Sequence, residues 1–291
     1  MKILSKAIRK GVFGFIPDSI YLRILYRVKM KKKLNLKNPI TYTEKIQWLK
    51  LNDRKREYTM YVDKYQVRSY IKQKIGGDYL IPLVGGPWKS FDDIDFSKLT
   101  DSFVLKTTHD SGGVVICPDK TKLNIKNIKK KLENSLNVNF YWQYREWPYK
   151  NVEPCIIAEQ YMEDESGYEL KDYKFFCFNG IPRIMFIASD RNVQGKETKF
   201  DFYDMSFKHL DIKNGHPNAE RAIDKPISFE KMKEISKLLS QDIPQVRIDL
   251  YDINGKIYFG EMTMFHWSGI ESFEPKEWDT IMGSWIDLSE L

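Results

Sequence analysis

Between residues 102 and 263 the chain is a succession of short apolar runs broken by turn residues. They are SFVLKTT (102–108), GVVIC (113–117), CIIAEQYM (155–162), DYKFFCF (172–178), IPRIMFIAS (181–189), KFDFYD (199–204) and the two arms of VRIDLYDINGKIYFGEMT (246–263). Runs of this length, rich in β-branched and aromatic residues, read as strands. Asn179-Gly180 and Asn254-Gly255 read as tight hairpin turns. Helical patterns interrupt the runs at 124–136 and at 228–240, the latter with Ser228 as its cap. Regular strand–helix alternation is missing, which excludes a doubly wound parallel sheet. The expected class is α+β, dominated by antiparallel pairs.

The first 75 or so residues read differently. SIYLRILYRVKMKKK after Asp18, TEKIQWLKL capped by Thr43, and DKYQVRSYIKQKIGG stopped by Gly76-Gly77 all predict helices. YLIPLVGGPW then opens a mixed region. Charge follows the same division. Residues 1–50 hold thirteen Lys/Arg against Asp18 and Glu44, a net of +11, while the whole chain carries +7, so residues 51–291 net −4. A basic end attracts anionic lipid or a polyanionic glycan. Ile3, Leu4, Ala7, Ile8 and Val12 recur at helical spacing beside Lys2, Lys6, Arg9 and Lys10, the pattern of an interfacial helix. No helix-turn-helix, zinc-finger or RNA-recognition signature accompanies the charge, so no nucleic-acid partner is expected.

Composition narrows the class further. At 291 residues and 42% hydrophobic content the chain can bury one large or two modest cores. Cys117, Cys155 and Cys177 sit among apolar neighbours and form no C-x-x-C pair, so they read as buried thiols in a reducing compartment. Four scattered histidines argue against structural zinc. No apolar run reaches the ~18 residues of a membrane span. The opening segment starts like a signal peptide, but its uncharged stretch runs only from Gly11 to Ile16. That is too short for a secretory leader, and a cytoplasmic chain, docked at most on the inner face of a membrane, is expected.

Four stretches carry chemistry. In FVLKTTHDSGGVVI a strand delivers Lys106 to a loop with Ser111, Gly112 and Gly113, where backbone N–H groups could close on an anion. It is not a Walker loop, and taken alone it is an ordinary glycine turn. CIIAEQYM ends in Glu159, Gln160, Tyr161 and Met162, a strand end able to face an adenine edge. In DYKFFCFNG, Asp172, Lys174, Phe176 and Phe178 share a face. The carboxylate suits a ribose and the lysine a phosphate, although such a pair is also an ordinary surface feature.

The fourth is the 246–263 hairpin, where Arg247, Asp249 and Tyr251 share one face and Ile257, Phe259, Glu261 and Thr263 another. A two-residue loop at Asn254-Gly255 pairs 249 with 260 and sends Asp249 and Glu261 to opposite faces. An odd-length loop with a bulge puts both carboxylates on one face. There they would repel unless a cation lay between them, and Mg²⁺ with phosphate oxygens suits that place. Arg247 would then be left to grip a phosphoryl group or a substrate carboxylate.

Taken in order, these stretches resemble the ATP-grasp superfamily, and more closely the TupA-like ATP-grasp family, named for teichuronopeptide biosynthesis. The resemblance runs from Pro39 onward through PITYTEKIQWLKL, YVDKYQVRSYI, FVLKTTHDSGG, IIAEQYM, DYKFFCFNG, SDRN (189–192) and the hairpin. It implies an ATP-grasp fold with a helical region at 1–75, a small subdomain at 76–165 and a large one at 166–291. It implies ATP with two Mg²⁺ ions as cofactors. Lys106 and Lys174 would hold phosphates under the Ser111–Gly113 loop, residues 159–162 would line adenine, and Asp172 would bind ribose. Asp249 and Glu261 would ligate magnesium, and Arg247 would stabilise transferring charge. Arg191 in SDRN is a second phosphate or carboxylate candidate. Thr263 stands where many relatives place a metal-binding Asn, and MFHWSGIESF replaces their small-Pro-Gly turn.

Such enzymes phosphorylate a carboxylate with ATP, and an amine then attacks the acyl phosphate. The resemblance implies a carboxylate–amine ligase amidating a uronic acid of a bacterial capsular or other cell-surface polysaccharide. Three rival readings are a kinase acting on a sugar or small molecule without an amine, a glycosyltransferase of polysaccharide synthesis, although no D-x-D stands in strand context, and a non-catalytic nucleic-acid binder using the basic end. His109 and His266, both loop residues, read as solvated.

Overall fold

In the computed structural model, residues 7–191, 193, 195–289 and 291 are described. Lys2, Ile3, Leu4 and Lys6 of the expected interfacial helix, and Asn192 of the SDRN motif, lie outside that range. The chain divides into two compact units. One comprises residues 1–17, 55–70 and 80–162, the other 18–54, 71–79 and 163–291, so the first 75 residues contribute to both.

In chain order the helices used below are α1 (Asp18–Met30), α2 (Tyr42–Asn52), α3 (Glu57–Val62), α4 (Val67–Lys74) and α5 (Ile125–Leu136). The first unit holds a four-stranded antiparallel sheet in the order β1-β4-β2-β3. Its strands are β1 (Leu83–Trp88), β2 (Phe103–Thr107), β3 (Val114–Cys117) and β4 (Ile156–Gln160). Pro87 cannot donate to a ladder, which confines β1 to the edge. Helix α5, capped by Asn124, lays Ile128 and Leu132 on Phe103, Leu105, Ile156 and Ala158 to make this unit's core.

The second unit holds a six-stranded sheet in the order β10-β9-β5-β6-β7-β8. These are β5 (Asp172–Phe178), β6 (Ile181–Ser189), β7 (Lys199–Asp204), β8 (His209–Leu210), β9 (Gln245–Ile253) and β10 (Lys256–Thr263). Among the described residues the strand pairings in both sheets are all antiparallel, as the sequence pattern demands. A helix at Phe229–Leu239, here α6, covers one face of the sheet, with Phe229 against Phe175 at a centroid distance of 6.1 Å. Burying each such ring contributes ~2 kcal/mol. On the opposite face Tyr42 of α2 meets Phe176 and Phe178 edge-on. Asp172, Lys174, Arg247, Asp249 and Glu261 belong to this second face, whereas Asp252 lies on the α6 side and accepts from Ser228 N.

Two helix starts differ from the sequence expectation. Helix α2 is capped by Thr41, not Thr43. Thr41 Oγ1 accepts from Glu44 N while Glu44 Oε2 accepts from Thr41 N, a reciprocal capping box written in the sequence as T-x-x-E. Thr43 sits inside the helix, its hydroxyl donating to Asp279 at 2.8 Å. Ser228 makes no cap either. Its hydroxyl donates to the Gly255 carbonyl at 2.9 Å and ties α6 to the hairpin tip. Cys117 and Cys177 are buried as expected, while Cys155 is only partly so.

The hairpin settles the register question in a third way. Asn254 (φ 52°) and Gly255 (φ 84°) form a tight two-residue turn that pairs Ile253 with Lys256. The extra residue lies within the strand, at Gly260, between the pairs Phe259–Leu250 and Glu261–Asp249. A Cβ on Gly260 would lie 3.0 Å from the Asp249 carbonyl and 3.1 Å from the Tyr251 ring. The bulge turns Glu261 and Thr263 onto the face of Asp249 and Arg247.

Helix α2 also braces the segment after β10. Gly269 has φ 62°, and a Cβ there would meet Ile46 Cγ2 at 2.6 Å and Gln47 Nε2 at 2.7 Å. Gly269→Ala therefore combines left-handed strain with overpacking, and about 2–4 kcal/mol of stability should be lost. Urea unfolding checks this as a lower midpoint at unchanged slope.

Candidate functional site

The second unit gathers seven of the expected residues. Lys174 on β5 stands opposite Asp249 on β9, which stands opposite Glu261 on β10. In the next row Phe176 faces Arg247, which faces Thr263. The first row continues the other way through Phe186 to Phe202. One face of the sheet is thus ionic at the β9–β10 end and aromatic towards β7. The aromatic side lowers the local dielectric and strengthens every charge interaction beside it.

Three carboxylates and three cations meet here. Lys174 Nζ pairs closely with Asp249 Oδ2 and lies 3.4 Å from Asp172 Oδ1. Arg191, half exposed, pairs with Asp172. The Arg247 guanidinium forks onto Asp249, with Nε to Oδ1 and Nη2 to Oδ2 both at 2.7 Å. Its Nη2 also donates to Glu261 Oε1 at 3.2 Å and Thr263 Oγ1 at 2.9 Å. Burial raises the Asp172 carboxyl, but the Lys174 and Arg191 charges overcome that and hold it below the usual range. Burial pushes Asp249 above that range, although Arg247 and Lys174 pull it back. Asp172 holds the Arg191 guanidinium firmly protonated.

Arg247 is engaged here by Asp249, Glu261, Thr263 and His266. It is 8% exposed, and its Nη1 donates to His266 Nδ1 at 2.6 Å. Arginine only donates, so His266 Nδ1 must accept and its Nε2–H donates to Asn214 Oδ1 at 2.8 Å. Asn214 Nδ2 is anchored on the Ser272 carbonyl. His266 is a buried neutral imidazole, not a solvated loop residue. Burial first, then Arg247 and Lys174, press its pKa well below 6.5.

Beyond His266 the backbone is strained. Trp267 (φ 46°, ψ 24°) and Ser268 (φ 56°, ψ 17°) are left-handed and precede the left-handed Gly269. Each non-glycine residue there costs ~1 kcal/mol or more. The turn is held by Gln47 Nε2, which donates to the Ser268 and Gly269 carbonyls at 2.9 Å each. Buried Lys50 Nζ donates to Ser268 O and Oγ at 2.7 Å.

In the first unit Lys106 Nζ lies 2.5 Å from Glu159 Oε2, and Arg68 Nη1 lies 3.1 Å from Glu159 Oε1. Glu159 is thus engaged by two cations, whereas Gln160 is exposed and Tyr161 and Met162 are half-buried at the strand end. In the glycine loop the Gly113 N–H donates to Asp110 Oδ1 at 3.1 Å, so it faces a carboxylate of the protein itself. Asp110 also accepts from Thr107 at 2.5 Å and from Ser135, while its carbonyl accepts from Lys64. Burial raises Asp110, but these hydrogen bonds and the Lys64 charge more than offset it. A Cβ on Gly113 would fall 1.7 Å from Thr107 Oγ1, so close approach demands this glycine. A Cβ on Gly112 would make only an ordinary contact, with Asp110 Oδ2 at 3.8 Å, and Ser111 is exposed. His109 is buried too, its Nε2 bonding the Ser135 and Val138 carbonyls that end α5.

Arg68, Asp110, Asn214 and the structural use of His266 were missed by sequence reasoning. Only Gly260, a lone glycine inside a strand pattern, carried a readable signal.

Among the described residues no three His, Cys, Asp or Glu side chains form a ready-made metal cluster. Asp249, Glu261 and Thr263 nevertheless present hard oxygens on one face. Mg²⁺ commonly takes one or two protein carboxylates and completes its shell with water and phosphate, so this donor set fits it.

A family model described as TupA-like ATPgrasp matches residues 44–287. No curated protein sequence matches the chain. Among solved structures, D-alanine–D-alanine ligase from Bacillus anthracis complexed with ATP is 15% identical, with TM-score 0.42, over 70% of this chain and 54% of that one. The Helicobacter pylori D-alanine–D-alanine ligase is 15% identical, with TM-score 0.40, over 76% and 61%. The chain thus spans less than two thirds of the length of either, and likeness at this level fixes neither substrate nor mechanism.

The buried neutral His266 makes stability depend on pH. Its folded pKa lies below the unfolded 6.5, so the unfolded state binds the extra proton. The contribution is present above pH 6.5 and is lost as pH falls towards the folded value. Below pH 6.5 this should remove up to ~1.4 kcal/mol per pH unit. Urea unfolding between pH 7.5 and 5 should show a steeper decline for the native chain than for His266→Gln. Equal slopes would show that the imidazole is not buried neutral.

Proposed function

Because the chain belongs to the TupA-like ATP-grasp family, we propose that it is an ATP- and Mg²⁺-dependent carboxylate–amine ligase. In this reading the γ-phosphoryl of ATP passes to a carboxylate oxygen, giving an acyl phosphate and ADP. An amine nitrogen then attacks the acyl carbon, phosphate leaves, and the amine loses its proton. Chemistry of this kind needs positioning and charge neutralisation more than a protein nucleophile.

The observation that carries the reading is the row Lys174–Asp249–Glu261, with Arg247 and Thr263 beside it, aligned by the Gly260 bulge. Asp249, Glu261 and the Thr263 hydroxyl would hold Mg²⁺, which when bound neutralises phosphate charge. Each cation of the row is at present paired with a carboxylate. A metal ion drawing on Asp249 and Glu261 would loosen their hold on Lys174 and Arg247 and leave those cations for phosphate oxygens. Lys106, paired with the Glu159 that Arg68 also holds, is assigned the same task beneath the Ser111–Gly113 loop. Gln160, Tyr161 and Met162 are assigned to adenine and Asp172 to ribose, with Glu159 holding Lys106 in place. Arg191, half exposed, is assigned to the substrate carboxylate.

The acceptor proposed is a uronic acid of a bacterial cell-surface polysaccharide, amidated by an amino acid or amine. The basic face of α1 suits such work near a membrane. Ile20, Ile24 and Val28 are 50–57% exposed in one row, beside exposed Arg23, Arg27 and Lys31. We propose that this face rests on anionic lipid, the apolar row entering the headgroup boundary. No helix among the described residues is long and apolar enough to cross a membrane. Co-sedimentation with phosphatidylglycerol vesicles, but not with neutral ones, should fall severalfold on Ile24→Ser with Arg27→Gln.

Uronic acids and amines supplied pairwise should release ADP only when both are present, and chelating Mg²⁺ should abolish release. ADP released with the acceptor alone would indicate a kinase, and nucleotide-sugar turnover without ATP a glycosyltransferase. Asp249→Asn and Lys106→Ala should each lower turnover by at least ~100-fold, the scale of losing one transition-state charge contact. Survival of activity in both variants would remove the assigned roles.

A further inference from the structure

After β10 the same unit contains one feature that the phosphate chemistry leaves unused. Trp267 follows the buried His266, lies on a left-handed backbone and is 42% exposed. A bulky side chain has no conformational reason to occupy that position, and glycine or asparagine would sit there more easily. Left-handed conformations persist where the surroundings over-determine them, and they concentrate at ligand sites. The surroundings here are explicit. Gln47 and Lys50 draw the following carbonyls inward, and His266 is fixed between Arg247 and Asn214.

The result is an indole displayed outward on a rigid base. It lies on Gly215, where an added Cβ would come within 2.9 Å of the ring. Gly215 is itself left-handed at φ 79°, so both its backbone and its missing side chain serve this contact. His216 at 6.0 Å, His266 at 5.9 Å and Phe200 at 6.4 Å complete the aromatic surround. Arg191 pairs with Asp172, and Asp172 stands in the cross-strand row Asp172–Ala188–Phe200, whose last ring is the one 6.4 Å from the indole. An exposed flat ring, a half-exposed guanidinium and the carboxylate row therefore belong to one rim of the same unit.

We propose that Trp267 is the platform of a sugar-binding subsite, taking the C–H face of a pyranose ring whose carboxylate is met by Arg191. The negative face of an indole attracts the weakly positive C–H bonds on the less polar side of a sugar ring. The same ring edge leaves hydroxyls pointing to solvent, so a rigid, open platform suits a polymer chain better than a closed pocket would. The subsite rests on the ligase reading for its purpose, since it would present the uronate carboxylate to phosphoryl transfer. Its binding is testable without turnover.

The experiment uses the full chain, Trp267→Phe and Trp267→Asn, the last chosen because asparagine accepts a left-handed backbone. Titration calorimetry and tryptophan emission are followed with a glucuronate-containing tetrasaccharide, its carboxyl-reduced counterpart, and adenosine. The uronate glycan should bind the native chain and quench its emission. Trp267→Phe should keep affinity within about 3-fold while losing the quench, and Trp267→Asn should weaken binding at least 10-fold. The reduced glycan should bind at least 10-fold more weakly than the uronate. No glycan binding by the native chain, equal affinity in Trp267→Asn, or a Trp267-dependent quench by adenosine alone would overturn the subsite. Should Trp267→Asn fail to fold, the loss of quench in Trp267→Phe at retained affinity decides. Glycan binding without amine-dependent ADP release would sink the ligase reading and leave the subsite standing. Glycan-dependent release with unchanged KM in Trp267→Asn would do the reverse.

Discussion

The fork of Arg247 onto Asp249 is the contact on which the second unit's polar face depends. Two buried charges cost several kcal/mol each to take out of water, and a mutual pair offsets that only with good geometry and further hydrogen bonds. Both conditions are met. The fork is bidentate at 2.7 Å, Lys174 supports Asp249 from the neighbouring strand, and His266, Thr263 and Glu261 occupy the remaining guanidinium donors. Remove Asp249 and two buried cations, Arg247 and Lys174, lose the carboxylate each holds most closely. The cluster is therefore poised: it is satisfied within itself, yet each member is bound to a partner that a metal ion or a phosphate could replace.

Such a site can be built only because one residue breaks the ladder. In an unbroken hairpin Asp249 would face Gly260 and Arg247 would face Met262, and Glu261 would point to the α6 side. The choice of Asn254-Gly255 for the tip fixes a two-residue turn, so parity has to be corrected elsewhere, and Gly260 does so within the strand. Glycine suits it because the Asp249 carbonyl and the Tyr251 ring leave only 3.0–3.1 Å for a Cβ.

This also explains what could be read in advance. Strand and helix segments of both units were legible because their apolar periodicity is local, and α5 and α6 begin within a residue of expectation. The identities Asp172, Lys174, Arg191, Arg247, Asp249, Glu261 and Thr263 were legible because charged residues in apolar strands require a reason. What was not legible was tertiary. Thr41 rather than Thr43 caps α2, since Asp279, 236 residues away, claims Thr43. Arg68 reaches Glu159 across 91 residues. His266 looks like a loop histidine until Arg247 and Asn214 are found on either side of it. Strand β1 hid behind Gly85, Gly86 and Pro87, which are poor strand formers tolerated at an edge.

The two polar clusters follow one design. In each, lysines at strand positions are held by carboxylates of the same unit: Lys106 by Glu159, Lys174 by Asp249. In each, the adjoining loop is braced by side chains and not left to its own backbone preferences, through Asp110 and Ser135 in one case and Gln47, Lys50 and His266 in the other. Pairing holds each lysine ammonium at a fixed position beside its carboxylate. Bracing removes the entropy that a mobile loop would lose on meeting a ligand. A polyanionic ligand then exchanges one set of charge partners for another, and it need not organise the groups that receive it. That exchange is cheapest where the protein's own carboxylates have somewhere else to go. A divalent cation beside Asp249 and Glu261 supplies such a destination, which is why a site lined with equal numbers of acids and bases can still favour a phosphate.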